Sequence, residues 1–278
     1  MPSTEVKRPL HVVAGIIRDP EKPSRIFFTQ RKKGQHLADL WEFPGGKLEQ
    51  GESRFEGLKR ELEEEAGIQV LAARPFQSII HAYREKTVFL DVWEVIQYSG
   101  RAHGREGQQY RWLSLAELDL YHFPEADYPV LKALALPPRL LITPDFPSRE
   151  LDHYLERFSG MMHQHRYPLV QFRSHRLSDR NYLSTAKELS IICQQYQAEI
   201  IINRPDLKSF QSRGYDIFQR RHLNSRILNE QKKNPFEAGI KSSASCHDLQ
   251  ELEKAALLNC EFALLSSVKV SSSHPLTG

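Results

Sequence analysis

The segment GKLEQGESRFEGLKRELEEEAGI, Gly46 to Ile68, restricts the fold more than any other part of the 278-residue chain. Ser53 followed by Glu56 has the pattern of a capping box and Gly67 supplies a stop, so the spacing predicts one helix of about four turns ending at Ala66. At about 100° per residue, Phe55, Leu58, Leu62 and Ala66 form one apolar stripe that must face a core. Glu61, Glu64 and Glu65 fall together on a neighbouring arc, whereas Glu63 lies on the other side of the stripe. Like charges this close push one another toward protonation and weaken a helix. A hard divalent cation relieves that repulsion, because Mg²⁺ takes oxygen ligands and is held by a few carboxylates together with substrate phosphates. A solvated acidic face balanced by Lys59 and Arg60 is the other reading of the helix taken alone.

The length favours two domains or one large α/β domain, and Pro137-Pro138 marks the boundary, because prolines end a helical pattern and bias the chain toward an extended connection. The expected domains are residues 1–136 and 137–278. In the first, strands are predicted at Leu10 to Ile17 and Arg25 to Thr29. A long loop and the acidic helix come next, then strands through Glu94 and Arg111 and a short helix from Tyr128 to Leu136. That irregular order predicts an α+β fold. The second alternates more regularly, with strands at Leu140 to Ile142, Leu169 to Phe172, Glu199 to Ile202, Tyr215 to Phe218, around Ala244, and Phe262 to Leu265. Helices are predicted to end near His163, Tyr196 and Leu258. Such alternation predicts a parallel sheet or barrel.

Charge narrows the partners. Residues 1–136 carry 19 Lys/Arg against 20 Asp/Glu, and residues 137–278 carry 19 against 15, with no basic stripe of the kind that binds a nucleic-acid polymer. No apolar run approaches a membrane span and Met1 to Leu10 has no apolar signal core, so no membrane partner and a cytoplasmic location are expected. Three well-separated cysteines, Cys193, Cys246 and Cys260, give neither a disulfide framework nor a metal cluster.

The acidic helix is part of a longer pattern. Gly46, Glu52, Arg60-Glu61, Leu62, Glu64-Glu65, Gly67 and Ile68 match every specified position of G-x5-E-x7-R-E-U-x-E-E-x-G-U, where U is aliphatic. The region therefore resembles the Nudix hydrolases. That resemblance implies a mixed sheet sandwiched by helices and a loop-helix-loop that binds divalent metal and hydrolyses a nucleoside diphosphate linked to another group.

Val12 to Arg18, Trp41 to Lys47, Gly104 to Gln108 and Phe123 to Val130 are similar to the MutT branch, which removes 8-oxo-dGTP from the nucleotide pool and so prevents replication errors. The resemblance spans about residues 10–135. It implies metal ligands at Gly45 (through its backbone), Glu61, Glu64, Glu65 and Glu106, with Glu61, Glu64 and Glu106 as the catalytic acids. Arg31, His36, Glu42, Phe43, Pro44 and Gly45 match nucleotide-contacting positions. The expected ion is Mg²⁺, with Mn²⁺ as a substitute, and the expected partner is a nucleoside triphosphate. Water activated by the ion and a glutamate would release pyrophosphate and a monophosphate. Glu52 and Arg60 are expected to pair and fix the loop against the helix.

Asp127 stands where the branch has asparagine, whose amide both donates and accepts. An ionised aspartate only accepts, so either burial keeps Asp127 protonated or the site prefers another nucleotide. Other nucleotides, or a Nudix fold used only to recognise an oxidised base, remain alternatives, although a binding module has no need of the acid cluster.

From Arg139 the chain resembles thiamine phosphate synthase, a (β/α)8 barrel, through Val170 to Arg173, Ile202 to Arg204 and Ser245 to Asp248. It departs at His175, where the family has lysine, and between Phe218 and Leu223, where Arg220, Arg221 and His222 replace a metal-binding aspartate. About six strand candidates are visible before Gly278, so the expected second domain is an α/β TIM-barrel-like domain, incomplete at its C-terminus. Gln171, Arg173 and His247 are read as relics or a weak phosphate site, and thiamine phosphate formation is the bifunctional alternative.

Overall fold

The computed structural model describes residues 9–34, 37–204, 208, 210 and 214–266. The chain divides into two compact units, Met1–Leu136 and Pro137–Gly278.

In the first unit, the apolar run of β1 (Leu10–Ile16) becomes a central strand because both of its neighbours cover it. β1 pairs parallel with β6 (Thr87–Ser99) and antiparallel with β4 (Gly45–Lys47), and β6 pairs antiparallel with β5 (Gln69–Ala82). The result is a mixed sheet in the order β4-β1-β6-β5. Pro75 is tolerated in β5 because that strand is an edge whose register shifts between Pro75 and Gln77. A separate antiparallel sheet, β3 (Trp41–Glu42), β2 (Arg25–Gln30) and β7 (Tyr110–Ser114), was not foreseen as distinct.

Helix α1 (Arg54–Ala66) has the expected capping box, Ser53 with Glu56, and ends at Gly67. Its stripe of Leu58, Leu62 and Ala66 is fully buried against Ile17, Phe27, Val70 and Val95, with Phe55 at the margin. A second apolar cluster joins Ala14, Ile16, Phe28, Val88, Leu90 and Val92 to Val130, Leu131 and Leu134 of α2 (Tyr128–Ala135). The strands of the unit thus supply apolar side chains to both helices, the arrangement of a sheet sandwiched by helices.

In the second unit, six strands run parallel in sequence order: β8 (Leu140–Ile142), β9 (Leu169–Arg173), β10 (Glu199–Asn203), β11 (Arg220–Leu223), β12 (Lys241–Cys246) and β13 (Phe262–Leu265). Intervening helices include α3 (Leu151–His165), α4 (Asp179–Gln195), α5 (Ser225–Glu230) and α6 (Leu249–Leu257). Val170, Phe172, Ile200, Ile202, Leu223 and Ala244 pack on Phe158, Met162, Tyr182, Ala186 and Leu189 of those helices. This is the strand order of a (β/α) barrel, curled and left open between β8 and β13 among the described residues.

One expected strand is displaced: Tyr215 and Phe218 lie in a buried turn, and the strand begins at Arg220. Arg220 can be buried there because Glu199 and Glu261 pair with it. His222 is buried because its Nδ1 and Nε2 meet the hydroxyls of Ser243 and Ser245 at 2.9 and 2.7 Å. All three cysteines are free.

Candidate active site

A cleft of about 360 Å³ opens in the first unit beside the acidic helix. Gly45, Gly46, Lys47, Glu61 and Glu65 line it together with Phe43, Val88, Leu90 and Asp127, and Arg31 and Glu42 also contribute. That volume and mixed lining suit a small polar ligand.

The positions of Glu61 and Glu65 depend on two glycines. β4 lies against β1 with Gly45 opposite Ala14 and Gly46 opposite Val13. Gly45 has φ +153°, and a Cβ there would sit 2.1 Å from the Val13 carbonyl oxygen. A Cβ at Gly46 would sit 2.3 Å from Glu61 Oε2. Glycine therefore lets the Glu61 carboxylate lie directly on the strand. On the same strand the Gly45 N–H donates to Glu65 Oε2 at 3.0 Å.

Helical geometry puts Glu61, Glu64 and Glu65 on one arc, but their environments divide them. Glu61 and Glu65 face the cleft, while Glu64 joins Arg60, Glu63, Arg105 and Glu106 around a separate, open polar depression. Arg60 bridges the two: its Nη1 donates to Glu61 Oε1 at 2.7 Å and to Glu64 Oε2 at 3.4 Å. Its Nε and Nη2 bind Glu52 at 2.9 and 3.0 Å, and Nη2 also reaches the Lys47 carbonyl at 3.0 Å, so loop and helix are tied together. Glu106 accepts from Lys32 Nζ at 2.9 Å.

Burial is the main reason the Glu65 carboxyl is pushed up to about 8. Glu42, Glu61 and Glu106 push the same way, against the Gly45 N–H. Burial also raises Glu61, opposed by Arg60. Among the described residues, no three His, Cys, Asp or Glu side chains are gathered tightly enough to chelate an ion as they stand. The donor set nevertheless fits a hard divalent cation. Its atoms are carboxylate oxygens, and the burial and neighbouring carboxylates that push Glu65 up are a cost that a cation would offset.

Phe43 packs in the core against Phe28, with centroids 4.9 Å apart, while still lining the cleft. Pro44 contributes its carbonyl to the Gly15 N–H at 2.9 Å and is not among the cleft-lining residues. Arg31 pairs with Glu42, whose carboxyl is raised by burial and lowered by that arginine. His36 lies outside the described residues. Asp127 begins α2 but makes no side-chain cap to it. Its Oδ2 is buried without a partner, and burial, reinforced by Glu42, pushes its carboxyl well above the ordinary range. Tyr83, Lys86 and Lys47 also line the cleft. Lys47 directly follows Gly46, but Tyr83 and Lys86 sit in a hairpin with no local pattern to mark them.

The NUDIX domain family model matches residues 13–133, and the thiamine monophosphate synthase model matches residues 139–277. A Haemophilus influenzae 8-oxo-dGTP diphosphatase is 39% identical over 128 residues, covering 46% of this chain and 93% of that protein. An Escherichia coli CTP pyrophosphohydrolase is 36% identical over 124 residues, covering 45% of this chain and 90% of that protein. Among solved structures, a MutT from work on Aliivibrio salmonicida and Vibrio cholerae is 43% identical; the match covers 46% of this chain and 97% of that one, with a TM-score of 0.41.

Proposed function

Since the chain belongs to the Nudix family and carries a Nudix hydrolase domain, with a thiamine monophosphate synthase-family domain behind it, we propose that it hydrolyses 8-oxo-dGTP to 8-oxo-dGMP and pyrophosphate. The water oxygen bonds to phosphorus as the bridging P–O bond between the α and β phosphates breaks.

The observation that carries this reading is the mixed lining of one cleft: Glu61, Glu65 and Lys47 share it with apolar side chains and with Asp127, whose buried Oδ2 has no partner. Protonated, Asp127 offers one O–H donor and one carbonyl acceptor. That pair complements the O6 acceptor and N7 hydrogen of 8-oxoguanine. Unmodified guanine has no hydrogen on N7, so its binding would leave the acceptor unpaired, at about 1–3 kcal/mol. Phe43, Val88 and Leu90 would enclose the ring, and Glu42 would hold Arg31 beside it.

Glu61, Glu64, Glu65, Glu106 and the Gly45 backbone would hold Mg²⁺, or Mn²⁺ in its place. When bound, the cation neutralises polyphosphate charge and lowers the pKa of the attacking water. Glu64 and Glu106 line the open polar depression, and one of them would accept the water's proton. Lys47, which lines the cleft, would meet the phosphates, and Arg60 would orient Glu61 and Glu64.

The test is pyrophosphate release from 8-oxo-dGTP, dGTP and CTP with and without Mg²⁺. CTP is included because of the CTP-hydrolysing relative. Preference for 8-oxo-dGTP and loss in Glu64→Gln support the assignment; unaltered turnover by that variant overturns it. For the second unit no reaction is proposed, since the arginines and histidine of Arg220–Leu223 are committed to internal partners. Thiamine phosphate formation by the intact chain would establish the bifunctional alternative.

A further inference from the structure

The tip of the β5–β6 hairpin reaches the turn that carries Asp127. Ala82 opposite Thr87 is the last ladder pair, and the Tyr83 N–H donates to the Lys86 carbonyl at 2.9 Å to close the tip. Two hairpin side chains then grip the turn. His81 Nε2 lies 3.1 Å from Glu125 Oε2, and the Tyr83 hydroxyl oxygen accepts the Ala126 N–H at 3.2 Å. The two rings meet edge to face with centroids 4.4 Å apart, so the grips share one support.

Hydrogen bonds do little to orient the enclosed Asp127 side chain. It does not cap α2, and its Oδ2 has no partner. Its backbone is located on one side by the Leu131 N–H, which donates to its carbonyl at 3.0 Å. On the other side, its own N–H donates to the Pro124 carbonyl at 3.0 Å, and the preceding residue, Ala126, is held by Tyr83. Tyr83 and Asp127 line the same cleft.

We propose that Tyr83 is a positioning residue for base recognition: by holding the Ala126 N–H, its hydroxyl sets the Asp127 carboxyl at the angle needed to meet the edge of a purine. This rests on the reading of Asp127 as the base-contacting group. Phenylalanine would keep the ring and remove the acceptor, leaving a buried N–H without its hairpin partner. The turn could then relieve that N–H only by moving, and Asp127 would move with it.

The experiment is calorimetric binding of 8-oxo-dGMP and dGMP to the full chain as parent, Tyr83→Phe, Asp127→Ala and the double variant. Tyr83→Phe should weaken 8-oxo-dGMP about 5- to 20-fold, and should change it less than about twofold once Asp127 is alanine. Binding is measured at least about 15 °C below the lowest unliganded melting temperature of the four proteins, so that each is folded in the comparison. Equal binding by Tyr83→Phe, or a loss that persists without the Asp127 carboxyl, overturns the positioning role. If the parent still prefers 8-oxo-dGMP in that case, the substrate reading stands. A parent without that preference overturns the substrate reading instead. Tyr83 is then judged by the same four proteins on whichever of dGMP and CMP binds more tightly: coupling to Asp127 supports its role and additivity overturns it.

Discussion

Replacing Asp127 with asparagine separates two effects of one buried carboxyl. The parent group is enclosed, has an unpartnered Oδ2, and is shifted upward chiefly by burial, so the folded state retains its proton at pH values where the unfolded chain has released it. Its contribution to stability is therefore intact below the ordinary aspartate value of about 3.9 and is lost as pH rises toward the folded-state value. Each unit between those values removes about 1.4 kcal/mol, or roughly 4 °C of melting temperature per kcal/mol for a unit of this size. Asparagine has the same shape and no proton to lose. The melting temperature of Asp127→Asn should thus match the parent near pH 4 and exceed it progressively up to neutrality. Preference for 8-oxo-dGTP should follow the same ionisation in the parent, falling about tenfold per unit once pH exceeds the folded-state value, and should become pH-independent in the variant. Scanning fluorimetry from pH 4 to 9 and kcat/KM over the same range are the assays. Parallel stability curves for the two proteins would refute the protonated state of Asp127 and the recognition built on it.

Glu65→Gln removes a carboxyl pushed up to about 8 mainly by burial. Metal-free stability should rise relative to the parent as pH climbs from about 4.5 toward 8, while Mg²⁺ affinity measured by calorimetry falls at least tenfold. Gly46→Ala places a Cβ 2.3 Å from Glu61 Oε2, so kcat should drop by about 10²-fold; an unchanged kcat would show that the Glu61 position is immaterial. His222 is held neutral, its pKa lowered to about 4 by burial and then by Arg173. The second unit should therefore lose about 3 kcal/mol as pH falls from 6.5 to 4, and His222→Asn should flatten that part of a urea-unfolding profile. Leu62, fully buried in the stripe of α1, should cost about 2–5 kcal/mol of unfolding free energy when replaced by alanine.

Helix α1 was legible because everything that defines it is local: the Ser53–Glu56 box, the stripe at three- and four-residue spacing and the stop at Gly67 interact within a turn or two of their own backbone. The Glu52–Arg60 tie followed from the same motif. The displaced strand shows where that reasoning stops. Arg220 and His222 look like surface residues until Glu199, Glu261, Ser243 and Ser245 arrive from other segments of the chain to satisfy them. The division of Glu61 and Glu65 from Glu64, and the Tyr83 grip on Ala126, likewise involve groups 43 or more residues apart or walls built by separate strands.

The amino-acid order by itself determined the acidic helix and the alternation of the second half, since caps, periodicity and charge are properties of neighbours along the chain. Only the tertiary structure decided that Asp127 is enclosed and its carboxyl pushed well above the ordinary range, that Glu65 is pushed to about 8, and which acids face which cavity. Desolvation depends on how many atoms from remote segments displace water around a group, and nothing adjacent to that group in sequence records their arrival.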